Sequence, residues 1–261
     1  MTFSTELMWQ AVGAIMAAVP NTLLMATISL AAGIILGAGI AVIRIGNNRL
    51  LTIPLAVIVS FLRGVPTIVQ LFIVYNSLPF FLAPLFSAVT GSPVKPFDIS
   101  PYWVVYTTYI LYNTAYQSET IRGALLSVDR GQYEAAVSLG ISPFRAFVRI
   151  IFPQALLVAL PAFFSYYLKT IKVLSLVFTV KIVDMFAAAD IFAALSGRRT
   201  EAYAADAVVY WGMCILLTVA SPSGRSICAA APEPVSLALR ISPGTQLCGY
   251  LVFCPAVLHD A

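Results

Sequence analysis

Apolar runs alternate with short polar stretches along most of the chain. One helical span takes ~20 apolar residues, so this alternation predicts repeated crossing of a bilayer. The first run, residues 7–19, is too short to cross, and Pro20 is expected to close it as a helix lying at the interface. Asn21 and Thr22 are placed to cap a first span over 23–43, which ends at Arg44 and Arg49. A second span, 53–78, is interrupted by Arg63-Gly64-Val65-Pro66. Residues 79–101, rich in Pro, Gly and Ser, predict a loop. The third span is 102–121, ending at Arg122, and the fourth 155–180. Residues 187–203 are polar enough for a loop with short helical pieces. A fifth span, 204–220, is barely long enough and has Asp206 at its outer end. The longest polar interruption, 123–153, falls between spans three and four.

Composition sharpens this into a class. Hydrophobic residues make up 60% and charged residues 10%, with mean hydropathy +0.92, where a soluble domain carries ~25% charged residues. The expected fold is therefore all-α, a polytopic membrane protein of about five spans with no room for a soluble second domain. The N-terminus carries Glu6 and neither Lys nor Arg, so no cleavable signal peptide is expected. Arg44, Arg49, Arg122, Arg130, Arg145 and Arg149 share one side, joined by Arg225 and Arg240 if the fifth span crosses. The other side holds Lys95, Lys181, Arg198 and Arg199. The excess predicts a cytoplasmic 123–153 segment and an outside N-terminus, with residues 1–19 a periplasmic interfacial segment. No GxxxxGK[ST] phosphate loop occurs, so nucleotide hydrolysis is not expected of this chain.

The polar interruption has an internal grammar: Glu134-Ala135-Ala136, then Gly140, then Ile150 and Pro153. Asp129 with Gln132 three residues on reads as a capping box that starts a helix. Gly140 suits the end of that helix, because Gly accepts the left-handed turn there. Ser142-Pro143 restarts a helix with a capping hydroxyl and a Pro at its first position, and Pro153 stops or bends it. Ala135 and Ala136 let a partner surface approach the backbone, and Glu134 can accept hydrogen bonds at that contact.

This spacing resembles the EAA loop (here 129–153) of ABC importer permeases, where it docks the ATPase. The likeness covers about residues 20–220. Ser60-Phe61-Leu62-Arg63-Gly64-Val65-Pro66-Thr67-Ile68-Val69-Gln70-Leu71 looks like the F-R-G-T-P-x-x-V-Q-L stretch of the polar-amino-acid branch. Residues 116–124, YQSETIRGA, are similar to its Y-x-A-E-I-x-R-G-G, and 127–132, SVDRGQ, to its S-V-P-x-G-Q. Residues 172–177, KVLSLV, are similar to its K-D-T-S-L-V but depart at Val173 and Leu174. The resemblance implies a type I permease fold and a subunit importing basic amino acids, glutamine or derivatives such as opines. It further implies a partner ATPase, working as a dimer, a second permease copy or paralogue, and a periplasmic substrate-binding protein. The inner membrane is the expected location. No cofactor and no nucleic acid is expected.

Ionisable groups inside spans cost about 2.5–3.5 kcal/mol on insertion scales and normally face protein or a water-filled path. Lys169 and Lys172 lie three apart on one helical face and, with Ser175, are candidates for the path, Lys172 ahead of Lys169; snorkelling to the interface is the competing reading. Arg63, beside Gly64 and Pro66, is expected to satisfy carbonyls freed where the helix breaks. Glu119 and Arg122 are spaced to pair. Gly33 and Gly37 form a GxxxG that offers a close-contact face for another subunit. From Ser221 the character changes: Cys228, Cys248, Cys254 and the only histidine, His259, fall in the final stretch, and no run there is long enough to cross. Residues 221–261 read as an atypical tail from an altered reading frame or fusion; the Cys/His spacing matches no usual zinc pattern, and cytoplasmic thiols stay reduced. Two competing classes are a membrane-embedded enzyme and a passive channel. The first needs a constellation that the lone tail histidine and the extra-span Asp184 and Asp190 do not supply, and the second gives no reason for the EAA-like segment.

Overall fold

The first helix, α1 (Thr5–Ile45), takes in both the expected interfacial stretch and the first span, unbroken over 41 residues. Pro20 does not close it. A proline removes one i→i−4 bond, and in a spanning helix neighbouring groups re-satisfy the freed carbonyl. The cap is Ser4, whose Oγ accepts from the Leu7 N–H at 3.4 Å, not Asn21 or Thr22. Thr22 instead donates to the Ala18 carbonyl, and Asn21 donates to the Val183 carbonyl at 2.8 Å. At ~1.5 Å per residue α1 is about 60 Å long, so it extends beyond the ~30 Å hydrocarbon core. The computed structural model describes residues 3–46 and 48–221. The chain divides into two compact units, 1–210 and 211–261. Of the second, the described residues 211–221 complete the last helix and one bend after it.

α2 (Arg49–Gly64) and α3 (Thr67–Thr90) break at Val65-Pro66, where the sequence interrupts the second span. The freed carbonyls find a different donor from the one expected. Gln70 Nε2 donates to Leu62 at 2.7 Å and to Val65 at 2.9 Å, and Arg63 turns elsewhere. α3 passes through Pro79 and Pro84, so the predicted loop at 79–101 begins only at Gly91, whose φ of 70° ends the helix.

α4 (Pro101–Ser127) is the third span and the centre of the bundle: 11 of its 27 residues are buried, against one of 16 in α2. Among the described residues four helical runs are long and apolar enough to cross: α1, α3, 143–180 and 199–220. α4 is too polar to count by hydropathy because Asn113, Gln117 and Ser118 point into protein, the setting that polar groups in a span require. α1 and α4 run parallel, with Gly33 against Asn113 and Gly37 against Gln117 and Ser118. A Cβ on Gly33 would collide with Asn113 Cβ, and one on Gly37 would come within 2.9 Å of the Ser118 nitrogen. The GxxxG face is therefore used inside the chain and is not available to another subunit.

α5 (Arg130–Ser138) and α6 (Pro143–Ala146) follow, then a π turn over Phe147–Ile151 and α7 (Phe152–Val173). Pro153 does not stop the helix, which winds continuously over 143–180. The π turn just before it loosens the winding, a local change of pitch that accommodates an irregularity inside a helix. α7 tightens into a 3₁₀ segment, Leu174–Val180, pinned to α4 by Tyr109, whose hydroxyl donates to the Val173 carbonyl at 2.9 Å. Thr170 donates to Asn113 Oδ1 at 2.9 Å between the same helices. The stretch expected as a loop at 187–203 holds α8 (Met185–Ser196), capped by Asp184 and ended by Gly197 at φ 69°. α9 (Arg199–Ala220) starts earlier than the expected fifth span, which gives it 22 residues. Cys228, Cys248, Cys254 and His259 lie outside the described residues.

Candidate functional site

The EAA-like segment folds as helix, tight turn, helix. Asp129 caps α5 by accepting from the Gly131 N–H at 2.8 Å. Gln132 does not complete a capping box; its Oε1 accepts from Gln154 Nε2 at 2.6 Å, which ties α5 to the start of α7. At the other end Gly140, at φ 80°, lets its own N–H reach the Val137 carbonyl at 2.9 Å and the Ile141 N–H reach Ala136 at 3.1 Å. Those two bonds are the Schellman closure, which needs a left-handed residue where Gly140 sits. Pro143 opens α6 as expected, but the Ser142 hydroxyl makes no capping bond.

Ala136 and Ala146 face inward while Glu134 and Ala135 are exposed. Ile150 is half-buried in the π turn and its carbonyl accepts from Gln154; Pro153 is exposed as the second residue of α7. Leu139 is 82% exposed and Phe144 77%, one on each side of Gly140. Two large apolar side chains are thus held out from a capped polar turn. Beneath α5 lies a cavity of about 460 Å³ between the ends of α1 and α4, lined by Val42, Ile45, Leu126, Tyr133, Glu134 and Phe147.

A second constellation lies where α2, α4 and α7 meet, with Lys169 and Arg63 exposed and Tyr116 and Tyr166 half-buried. Lys169 Nζ sits 4.8 Å from the ring centroid of Tyr116 and 5.6 Å from that of Tyr166, and Arg63 Cζ lies 5.5 Å from the Tyr116 centroid. Tyr112 and Tyr166 pack about Tyr116 at tilted angles, with 4.8 and 5.4 Å between centroids. Such cation–ring contacts contribute about 0.5–2 kcal/mol, more when desolvated. One turn further along α4, Glu119 receives Arg44 from α1 and Arg122 from its own helix, the latter at 2.9 Å. Arg44, Arg63, Gly64, Tyr116 and Glu119 line one cavity of about 430 Å³.

The structure thus brings together Lys169 and Arg63, which the sequence assigned to separate tasks. Lys172 is exposed near the end of α7, where its carbonyl accepts from Ser175 Oγ at 2.8 Å. Pro66 stands at the start of α3 and Gly64 at the end of α2. Tyr116 and Tyr166 were missed. Their signal was present: Tyr112 and Tyr116 are four apart, and Tyr166 and Lys169 three apart, each pair on one helical face. Asp184 is fully buried; its carboxylate accepts from the Ala187 N–H at 3.0 Å, and burial pushes it up to about 6. Asp190 accepts from the Tyr203 hydroxyl at 2.8 Å. Among the described residues no group of three His, Cys, Asp or Glu is placed to hold a metal.

Residues 29–221 match a protein family described as Binding-protein-dependent transport system inner membrane component. The chain is 37% identical over 218 residues to the Probable amino-acid permease protein YxeN of Bacillus subtilis (strain 168), covering 84% of this chain and 92% of that protein. It is 31% identical over 210 residues to the Octopine transport system permease protein OccM of Rhizobium radiobacter, covering 80% and 84%. Its backbone is similar, at TM-score 0.70 and 25% identity, to the crystal structure of an amino acid ABC transporter with histidines, over 84% of this chain and 95% of that one.

Proposed function

The chain belongs to the family of binding-protein-dependent transport system inner membrane components, and on that premise we propose that it forms the path for a polar amino acid or amino-acid derivative, opines included, and takes its drive from a separate ATPase at the α5–α6 element. The substrate class follows the names of the relatives, an amino-acid permease and an octopine permease. The observation that carries the coupling role is the turn at Gly140 with Leu139 and Phe144 exposed beside it. Burying two such side chains against a partner contributes about 1.5–3 kcal/mol each.

The mechanical route is continuous. A displacement of α6 passes through the π turn into α7 without a chain break, and Lys169 rides on that helix. The Gln132–Gln154 bond carries α5 along with it. Lys169 and Arg63 meet substrate carboxylate where the path crosses Tyr116. The excess of Arg on the 123–153 side supports a cytoplasmic docking element and an outside N-terminus. A second permease, identical or paralogous, completes the path, since five spans enclose little volume alone, and a periplasmic binding protein delivers the substrate.

The test is Gly140→Asp, assayed with the partner subunits co-expressed. ATP-driven uptake is expected to vanish while the chain stays in the membrane at normal level, because the turn is lost and a carboxylate is added to the contact. Normal uptake by that variant rejects the docking role. Cysteine labels at Arg145 and Ser92 check sidedness: the first reacts only once the inner face is opened, the second from outside, and the reverse pattern rejects the orientation.

A further inference from the structure

The ring of Tyr116 carries two cations, and neither has a carboxylate partner among the described residues. Lys169 and Arg63 lie 4.8 and 5.5 Å from the same ring centroid, while the three ion pairs found involve Arg44, Arg122 and Arg198. The nearby acid, Glu119, is already shared by Arg44 and Arg122, so the triad itself keeps one positive charge. Arg44 and Glu119 line the same cavity as Arg63 and Tyr116. Cationic groups inside a span are costly unless a charge of opposite sign meets them, and a ring face offsets that cost only in part. A ligand with a single carboxylate answers one of the two cations and leaves the other without one.

We infer that the site takes a two-carboxylate ligand class: small amino-acid derivatives with one carboxylate for Lys169 and one for Arg63, both beside Tyr116. With Lys169 Nζ 4.8 Å and Arg63 Cζ 5.5 Å from one ring centroid, the two cations are at most about 10 Å apart, a span that one small two-carboxylate molecule bridges. Arg63 is the better partner for bidentate binding, because its guanidinium fork matches a carboxylate, and Lys169 acts as a point charge. Gln70 bears on the same point. By satisfying the carbonyls of Leu62 and Val65 itself, it leaves the Arg63 guanidinium available at the cavity. This inference rests on the reading of Lys169 and Arg63 as path residues.

The experiment measures equilibrium binding of labelled probes to the full-length chain in lipid nanodiscs, which keeps the selectivity of any binding protein out of the result. Two probe pairs each differ by one carboxylate: octopine against L-arginine, and L-glutamate against L-glutamine. The two-carboxylate member of at least one pair is expected to bind about tenfold tighter, an ordinary return for one added charge-assisted contact. In Arg63→Gln and in Lys169→Gln that ratio falls to about one, while Arg63→Lys and Lys169→Arg keep most of it. Melting temperature and monodisperse elution, measured on the same samples, separate loss of the site from loss of the fold. If a Gln variant misfolds, the wild-type ratio and the charge-keeping variants still decide the matter. Equal binding within both pairs overturns the two-carboxylate inference and leaves the path reading standing. No binding of any probe at millimolar concentration overturns both.

Discussion

Two regions of this molecule depend on glycine for opposite reasons. Along the α1–α4 seam, Gly33 and Gly37 lie in ordinary helical backbone, and what matters is the missing Cβ, because Asn113, Gln117 and Ser118 occupy the space it would fill. At the α5–α6 turn the surroundings are empty: a Cβ on Gly140 would meet nothing within 4 Å, and only its φ of 80° demands glycine. The seam is a packing device and the turn is a presenting device. Stability is concentrated where polar atoms and small residues are hidden, and the exposed element holds its shape by backbone geometry so that its side chains stay outward. A spanning bundle that must move under an external push has reason to keep these roles apart.

The comparison breaks most plainly at Gly33. Gly33→Leu drives a branched side chain into α4 and is expected to cost about 3 kcal/mol or more, read as lost membrane abundance and a collapsed thermal transition in detergent. A near-normal melt would mean the seam is not where the fold is held. Gly140→Ala comes next, at about 1–2 kcal/mol, because only a left-handed backbone is penalised and nothing clashes; Gly140→Asn should recover part of that loss. Should Gly140→Ala melt the protein as far as Gly33→Leu does, the separation of packing from presentation fails. The smallest effect sharpens the packed side. Asp184 is buried beside α1, where the following Met185 N–H donates to Thr22 Oγ1. Its carboxyl is raised from 3.8 to about 6, so the folded state holds the proton more tightly than the unfolded chain. Stability is then present below the unfolded value and declines as pH rises through about 6. Between pH 5 and 7 the wild type should lose about 1 kcal/mol more than Asp184→Asn, whose amide can still cap α8. Parallel pH–melting curves for the two proteins would remove Asp184 from the account.

Local features were legible in the sequence and tertiary ones were not. The break at Val65-Pro66 and the turn at Gly140 follow from the covalent limits of Pro and Gly, which act wherever those residues stand. The same rule misled at Pro20, Pro79 and Pro84, where helices pass straight through. In a bundle the neighbours and the low dielectric make the helix the best available state even with one bond missing. The choice of Gln70 over Arg63 at the break was not legible, since both side chains reach and the fold decides. The Tyr116 cluster also needs α2, α4 and α7 to meet; each helix shows its tyrosines or cations, but no single helix shows that they share one ring.

The parallel pairing of α1 with α4 has a consequence for how the chain is made. Gly33 meets Asn113, about 80 residues later in synthesis, and chains emerge at roughly 5–20 residues per second. For on the order of ten seconds α1 sits in the bilayer with its glycine seam against lipid and no permanent partner. Its hold on the membrane in that interval comes from hydrophobicity alone, which its mean hydropathy of 2.3 over the best window supplies. The more polar α4 arrives afterwards and meets a groove already waiting for it. The apolar helix can insert alone and be translated first, whereas the helix carrying Asn113, Gln117 and Glu119 enters only when a protein surface is there to receive it.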